Sequence, residues 1–239
     1  MSEPMIAARK VYKRYQRGGE TLTVLDGLDL EMEEGRFYAL MGPSGSGKTT
    51  LLNLIGGLDQ ADGGELVVAG SNLAELPSAE LARWRSANVG FVFQGFNLIP
   101  VLTALENVEL PLSLTPLSKK ERRDHARFAL KLVGLEGRED HRPQQLSGGQ
   151  EQRVAIARAI ASDPKVLLAD EPTGDLDRKS ASDVLDLLVR LNAEYKKTIL
   201  MVTHDPYASA RASLVVHLDK GQLGRIERNT APAASAARS

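Results

Sequence analysis

The chain has no cysteine among its 239 residues. Disulfides, thiolate-bound metals and a cysteine nucleophile are therefore excluded. The four histidines, His125, His141, His204 and His217, show no metal-ligand spacing. No run approaches the ~18 apolar residues that a membrane-spanning helix requires. The opening Met1-Ser2-Glu3-Pro4-Met5 lacks the apolar core of a signal peptide. These two absences predict a cytoplasmic chain, and any membrane part of its task would fall to other chains. A charge excess is also missing, with 30 basic against 31 acidic residues and a net charge of −1. Nucleic-acid-binding domains are usually strongly basic or carry a basic stripe, so no nucleic-acid partner is expected.

What is present is a core. Hydrophobic residues make up 42% of the chain, enough for one large α/β domain or for a core with an inserted subdomain. Three motifs stand out. The segment Gly42-Pro43-Ser44-Gly45-Ser46-Gly47-Lys48-Thr49 matches G-x-x-x-x-G-K-[ST]. It follows the apolar run Phe37–Met41 and precedes a helical pattern from Thr50, which is the strand–loop–helix context of a phosphate-binding loop. Leu146-Ser147-Gly148-Gly149-Gln150 opens a second helix, because Ser147 and Gln150 have capping-box spacing. Two glycines at a helix N-terminus leave bare backbone N–H groups at the positive end of the helix dipole, which suits a phosphate. Val166–Ala169 is a short buried strand running into Asp170 and Glu171. It would deliver two carboxylates to the rim of a parallel sheet, where ligands of such sheets bind.

Around these motifs the chain reads as follows. Met5–Tyr12 is a strand and Tyr15–Glu20 a turn. Leu28, Leu30 and Met32 alternate with acids as in a half-buried strand. With Glu65–Ala69 these predict a small antiparallel sheet beside the phosphate loop. Ser78–Ala87 is a helix and Val89–Phe93 a strand. Phe96–Leu102 is an unusually apolar loop, either folded under a helix or a docking surface. A helix starts at Thr103 and is broken by Pro111 and Pro116. A second begins at the capping box Ser118–Glu121 and ends at Gly134. Asp177 can cap a helix running to Glu194. Thr198–Thr203 is a buried strand with His204 at its end, and a hairpin turns at Lys220-Gly221. One domain over 5–228 is expected, with a helical subdomain inserted at about 95–161 and a disordered tail over 229–239.

The three motifs in this order resemble the ATP-binding-cassette (ABC) ATPases, and the resemblance runs from about Met5 to Ile226. It implies an α/β fold: a P-loop NTPase (RecA-like) core with an N-terminal antiparallel β subdomain and an inserted α-helical subdomain. It implies ATP and Mg2+ as ligands. Gly42 to Gly47 with Lys48, Thr49 and Thr50 would hold the phosphates, and Lys48 would reach the β/γ-phosphates. Thr49, Asp170 and Gln94 would serve the metal. Glu171 would activate the attacking water, and His204 would contact the γ-phosphate and keep Glu171 aligned. Tyr15 stands where the family has an adenine-stacking aromatic. Ser147, Gly148, Gly149 and Gln150 would cap the ATP of a second copy, giving a head-to-tail dimer around two nucleotides.

Gln94–Pro100 with Leu102–Leu112, and Asp170–Asp177, look like the lipoprotein-releasing and macrolide-exporter ATPases within that family. That implies an integral membrane permease docking near Phe96–Leu102, and a peripheral place on the cytoplasmic side of the inner membrane. The alternative is the ATPase of a non-transporting signalling or cell-division complex. Asp175 and Glu151 depart from the usual Asn and Gln or Lys. DNA-repair relatives carry coiled-coil arms or zinc modules and translation-type relatives carry two cassettes; this chain has none of these.

Overall fold

A computed structural model describes residues 3–229. The run Phe37–Met41 forms strand β3 in the middle of a six-stranded sheet. Before it in the chain lie β1 (Ile6–Arg17) and β2 (Glu20–Met32). After it come helix α1 (Lys48–Ile55), β4 (Gly63–Val68), β5 (Ser71–Asn72), α2 (Ser78–Asn88) and β6 (Val89–Phe93). Then follow α3 (Ala104–Glu109), α4 (Lys119–Leu132), α5 (Gly148–Ile160) and β7 (Val166–Asp170). The chain closes with α6 (Arg178–Tyr195), β8 (Thr198–Val202), α7 (Pro206–Ser209), β9 (Leu214–Asp219) and β10 (Gln222–Arg228).

The main sheet has the order β10-β9-β3-β8-β7-β6 and is parallel except for β10. Its strands are continuous apolar runs because both faces are covered. Phe37 and Ala39 face one core layer with Leu167, Ala169, Ile199 and Met201, under α3 to α6. Tyr38 and Leu40 face the other with Leu168, Leu200 and Val202, against α1, α2 and the smaller sheet. That smaller sheet is antiparallel, in the order β2-β1-β4-β5.

One expectation is corrected. Tyr15 to Arg17 is not a turn but the end of β1, paired with β2 as far as Arg17 opposite Glu20. The turn is made by Gly18 and Gly19 alone, both at positive φ, which suffices for a tight hairpin between exposed polar strands. Register shifts between Ala8 and Arg14 break the alternation that would have announced a strand this long. Asn229, expected in the disordered tail, is tied down: its side chain donates to Ser209 O at 3.2 Å and Ala212 O at 2.7 Å. The rest of that tail, 230–239, lies outside the described residues.

Between β6 and β7 the chain is helical. Capping boxes at Thr103/Glu106, Ser118/Glu121 and Ser147/Gln150 start α3, α4 and α5. The apolar loop before α3 divides its residues. Leu98 packs on the core, while Ile99 and Val101 stay exposed, Val101 at 70%. The fully buried Asn107 holds this loop. Its Oδ1 accepts from Ile99 N at 2.8 Å, and its Nδ2 donates to Ile99 O, Leu102 O and Thr103 O.

Replacing Asn107 with Ala removes the partner of Ile99 N and Leu102 O, while Ile99 O and Thr103 O keep their bonds from Leu102 N and Asn107 N; the cost is roughly 1–3 kcal/mol per buried unsatisfied group. Asn107→Ala is expected to lower Tm by several degrees, on the order of 2–4 °C per kcal/mol for a chain of this size. A thermal melt checks it, and an unchanged Tm would contradict the bracing role.

Candidate active site

The candidate phosphate-site residues gather at the carboxyl edge of the parallel strands. After Met41 the backbone turns through Gly42 to Gly47 into α1, whose N-terminus has no side-chain cap. The first-turn N–H groups are left for a ligand. Gly42 has to be glycine: a Cβ there would stand 2.1 Å from Leu218 O and 2.7 Å from Ser46 Oγ. Lys48 Nζ folds back over this cradle and donates to Gly42 O and Pro43 O, each at 2.8 Å. Its ammonium is thus held over the loop, where an anion can attract it. Ser46 Oγ is buried without a protein partner, a free hydroxyl inside the cradle.

Strand β7 brings up the carboxylates. Glu171 follows it with φ +48, a left-handed backbone uncommon for a non-glycine residue. The chain turns there, and Glu171 N donates to Val202 O on β8 at 3.0 Å. The Asp170 carboxyl is pushed above its ordinary range, first by burial and then by the charge of Glu171; the Thr49 hydroxyl and the Lys48 charge pull the other way. A carboxylate held up by burial beside a second carboxylate is relieved by a cation. Thr49 and Asp170 therefore fit a Mg2+ ion, which is commonly bound by one or two carboxylates plus substrate phosphates. Among the described residues there is no cluster of three or more His, Asp or Glu that would make a self-sufficient protein cage.

His204, just past β8, places Nδ1 2.8 Å from Glu171 Oε1. The hydrogen bond and charge of Glu171 raise the imidazole above its ordinary 6.5. Gln94, just past β6, donates from Nε2 to Asp175 Oδ1 at 2.8 Å. At the far side Tyr15 is held at its hydroxyl, which donates to Asp59 Oδ2 at 2.6 Å. Lys13 Nζ bonds the other Asp59 oxygen at 2.7 Å and sits 5.0 Å from the Tyr15 ring centroid. The ring is fixed at its edge and remains 39% exposed.

The Ser147–Gln150 turn, the signature turn, is placed differently. Ser147 Oγ accepts from Gln150 N at 3.3 Å, and Gln150 Oε1 accepts from Ser147 N at 2.9 Å. Gly148 lies near Leu176 and Phe96, and Gly149 near Ser180. The structure thus brings Lys48, Thr49, Asp170, Glu171 and His204 together, and sets Ser147–Gln150 on the helical layer, against the loop after β7 and the start of α6.

Three contributors were missed in the sequence. Lys13 and Asp59 fix Tyr15. Gln152, fully buried in α5, donates to Phe93 O at 3.3 Å and Pro172 O at 2.5 Å. It ties the residue before Gln94 to the residue after Glu171. A signal existed: Gln152, Ala155, Ile156 and Ala159 occupy one face of α5 at i, i+3, i+4, i+7, and all are buried.

Comparison with known proteins agrees with this geometry. A family model described as ABC transporter matches residues 25–174. The chain is 47% identical over 228 residues to the uncharacterized ABC transporter ATP-binding protein MJ0796 of Methanocaldococcus jannaschii, covering 94% of this chain and 97% of that protein. It is 44% identical to the lipoprotein-releasing system ATP-binding protein LolD of Chromohalobacter salexigens, covering 93% and 94%. It is 47% identical to a macrolide export ATP-binding/permease protein, MacB 1/2 of Paracoccus denitrificans, covering 97% of this chain but 34% of that longer protein. A solved dimer of the MJ0796 cassette in a post-hydrolysis state, bound to ADP and Pi, superposes with a TM-score of 0.86 at 44% identity, covering 95% of this chain and 100% of that one. The expected α/β P-loop NTPase fold is borne out.

The His204–Glu171 contact has a pH signature. Because the imidazole is raised in the folded chain, the contact stabilises the fold below the ordinary value and that contribution is lost as pH rises through the raised one. NMR titration should find His204 titrating above 6.5, and Glu171→Gln should bring it down. An imidazole indifferent to Glu171→Gln would contradict the pairing.

Proposed function

This chain belongs to the ABC transporter family as an ATP-binding, ATP-hydrolysing subunit, and from that premise we propose how its own residues carry the reaction and what it drives. The observation that carries the reading is the meeting of Lys48, Asp170, Glu171 and His204 at one sheet edge, a full hydrolytic set.

Backbone N–H groups of Gly45 to Thr49 cradle the α- and β-phosphates of ATP. Lys48 exchanges its bonds to Gly42 O and Pro43 O for the β- and γ-phosphates. Thr49 Oγ1, the Gln94 amide oxygen and, through water, Asp170 would hold Mg2+. Charge neutralisation on the transferred phosphate is the chemistry such an ion would supply there. Glu171 polarises a water and takes its proton as the water oxygen bonds to the γ-phosphorus. The bond to the bridging oxygen breaks, leaving ADP and phosphate. His204 holds the Glu171 carboxylate through the 2.8 Å contact and presents its other face to the γ-phosphate. Tyr15 stacks on the adenine.

One copy lacks a cap for the γ-phosphate. The Ser147–Gln150 turn of a second copy supplies it, Ser147 by its hydroxyl and Gly148 and Gly149 by close backbone approach. Two copies in head-to-tail two-fold symmetry then enclose two ATPs. Binding closes the pair and hydrolysis opens it. Residues 5–228 work as a single cassette in which 95–161 form the inserted helical subdomain.

Among the described residues no helix is long and apolar enough to cross a membrane. The output passes to an integral membrane subunit. The exposed Ile99 and Val101, on a loop braced from beneath by Asn107, suit a groove that receives an apolar helix of that partner. The chain then sits peripherally on the inner face of the cell membrane and drives export or lipoprotein release. Likeness to LolD and MacB relatives favours this over a non-transporting signalling complex.

Glu171→Gln is expected to slow turnover by about 10²–10⁴-fold while ATP still binds. Light scattering should then find it as an ATP-dependent dimer. Turnover at the wild-type rate would remove Glu171 from its role.

A further inference from the structure

Asp175 stands in the loop between the carboxylates and α6, and it is bonded to Gln94. We infer that Asp175 is a positioning residue: its carboxylate sets the flip of the Gln94 carboxamide so that the amide oxygen, not the NH2, faces the metal and the attacking water. The inference rests on the reading of Gln94 as a metal contact.

The argument is one of donors and acceptors. A carboxamide has two ends of nearly equal size, one donating and one accepting. Only the oxygen end can ligate a cation, so a flipped Gln94 would present N–H groups to Mg2+. An Asn at 175 both donates and accepts, and it could bond either flip of Gln94. A carboxylate only accepts. It bonds the NH2 end, as found in the 2.8 Å contact from Nε2 to Asp175 Oδ1, and leaves Oε1 turned away from it. The bond is charge-assisted, which makes it stronger than an amide–amide pair.

Two further features fit a built contact rather than a chance meeting of surface side chains. Gly174 has no side chain to intrude: a Cβ there would lie 3.0 Å from both Cδ and Nε2 of Gln94. The amide therefore lies close against this glycine, and a side chain there would make it give by a few tenths of an ångström. The two segments are also tied together by one buried side chain. Gln152 donates to Phe93 O, just before Gln94, and to Pro172 O, three residues before Asp175. Past Asp175, Asp177 Oδ1 accepts from Lys179 N and Ser180 N and fixes the start of α6. The loop carrying Asp175 is thus held at both ends.

Asp175 also brings a negative charge to the site, which by itself would attract any cation and repel phosphate. A positioning role and a bulk charge effect separate in a double-mutant cycle. The wild-type chain, Asp175→Asn, Gln94→Ala and the double variant would each be saturated with a non-hydrolysable ATP analogue and titrated with Mn2+, with free Mn2+ counted by electron paramagnetic resonance. Nucleotide affinity in EDTA checks that each variant is folded. The proposal expects Asp175→Asn to weaken Mn2+ on the order of 10-fold, as loss of a residue orienting a ligand does, and to have no further effect in the Gln94→Ala background. An equal loss in both backgrounds would assign Asp175 to charge alone and overturn the proposal. So would no loss in Asp175→Asn where Gln94→Ala does weaken Mn2+; Gln94 would then remain a ligand. If Gln94→Ala leaves Mn2+ affinity intact, the metal reading of Gln94 itself falls, and the role of Asp175 with it.

Discussion

The site depends on β3 being clamped in the middle of a parallel sheet. Its neighbours β8 and β9 hold it in fixed register, Leu40 opposite Val202 and Val216. Its two faces are buried in separate core layers. Only because that strand cannot shift does the loop after it present α1's free N–H groups at a constant distance from Asp170 and His204, which leave the same edge. The closeness of Gly42 to Leu218 O shows how little slack the arrangement has. Burial supplies the rigidity, and rigidity gives the phosphate cradle its value, since a preorganised cradle loses little on binding.

A second constraint links the cassette's two functional ends. α5 begins at the signature turn and, within its second turn, buries Gln152 against the backbone beside Gln94 and Glu171. The surface proposed to contact a partner's nucleotide and the loops proposed to contact the chain's own nucleotide are therefore joined by one rigid helix and two hydrogen bonds. A shift of the helical layer moves both together. Such linkage is what a machine needs if opening and closing of the dimer are to follow hydrolysis.

How much of this was legible follows from how the information is carried. The phosphate loop, Asp170-Glu171 and His204 were readable because each lies in a short contiguous segment next to an apolar strand, so local spacing fixes its place. The capping boxes at Ser118 and Ser147 were readable for the same reason. The end of β1 was not, because bulges disturbed its alternation and only Gly18-Gly19 marked the turn. The apolar composition of Phe96–Leu102 suits burial and docking equally, and the structure divides it, Leu98 inward and Val101 outward. Contacts between distant segments were invisible. Nothing near Gln94 points to Asp175, 81 residues on, and nothing near Tyr15 points to Asp59. The positive φ of Glu171 is a further such case, found where its N–H reaches across to Val202 O.

The central claim is that one copy's phosphate loop and another copy's signature turn share a single ATP. The cysteine-free chain allows a direct measurement. Two variants, one with Ser44→Cys and one with Ser147→Cys, both in the Glu171→Gln background, are mixed and treated with a short thiol cross-linker. The account predicts a covalent dimer joining one copy of each, formed with ATP and absent without it. No cross-link between the two variants at saturating ATP, or one that forms equally without nucleotide, would contradict it.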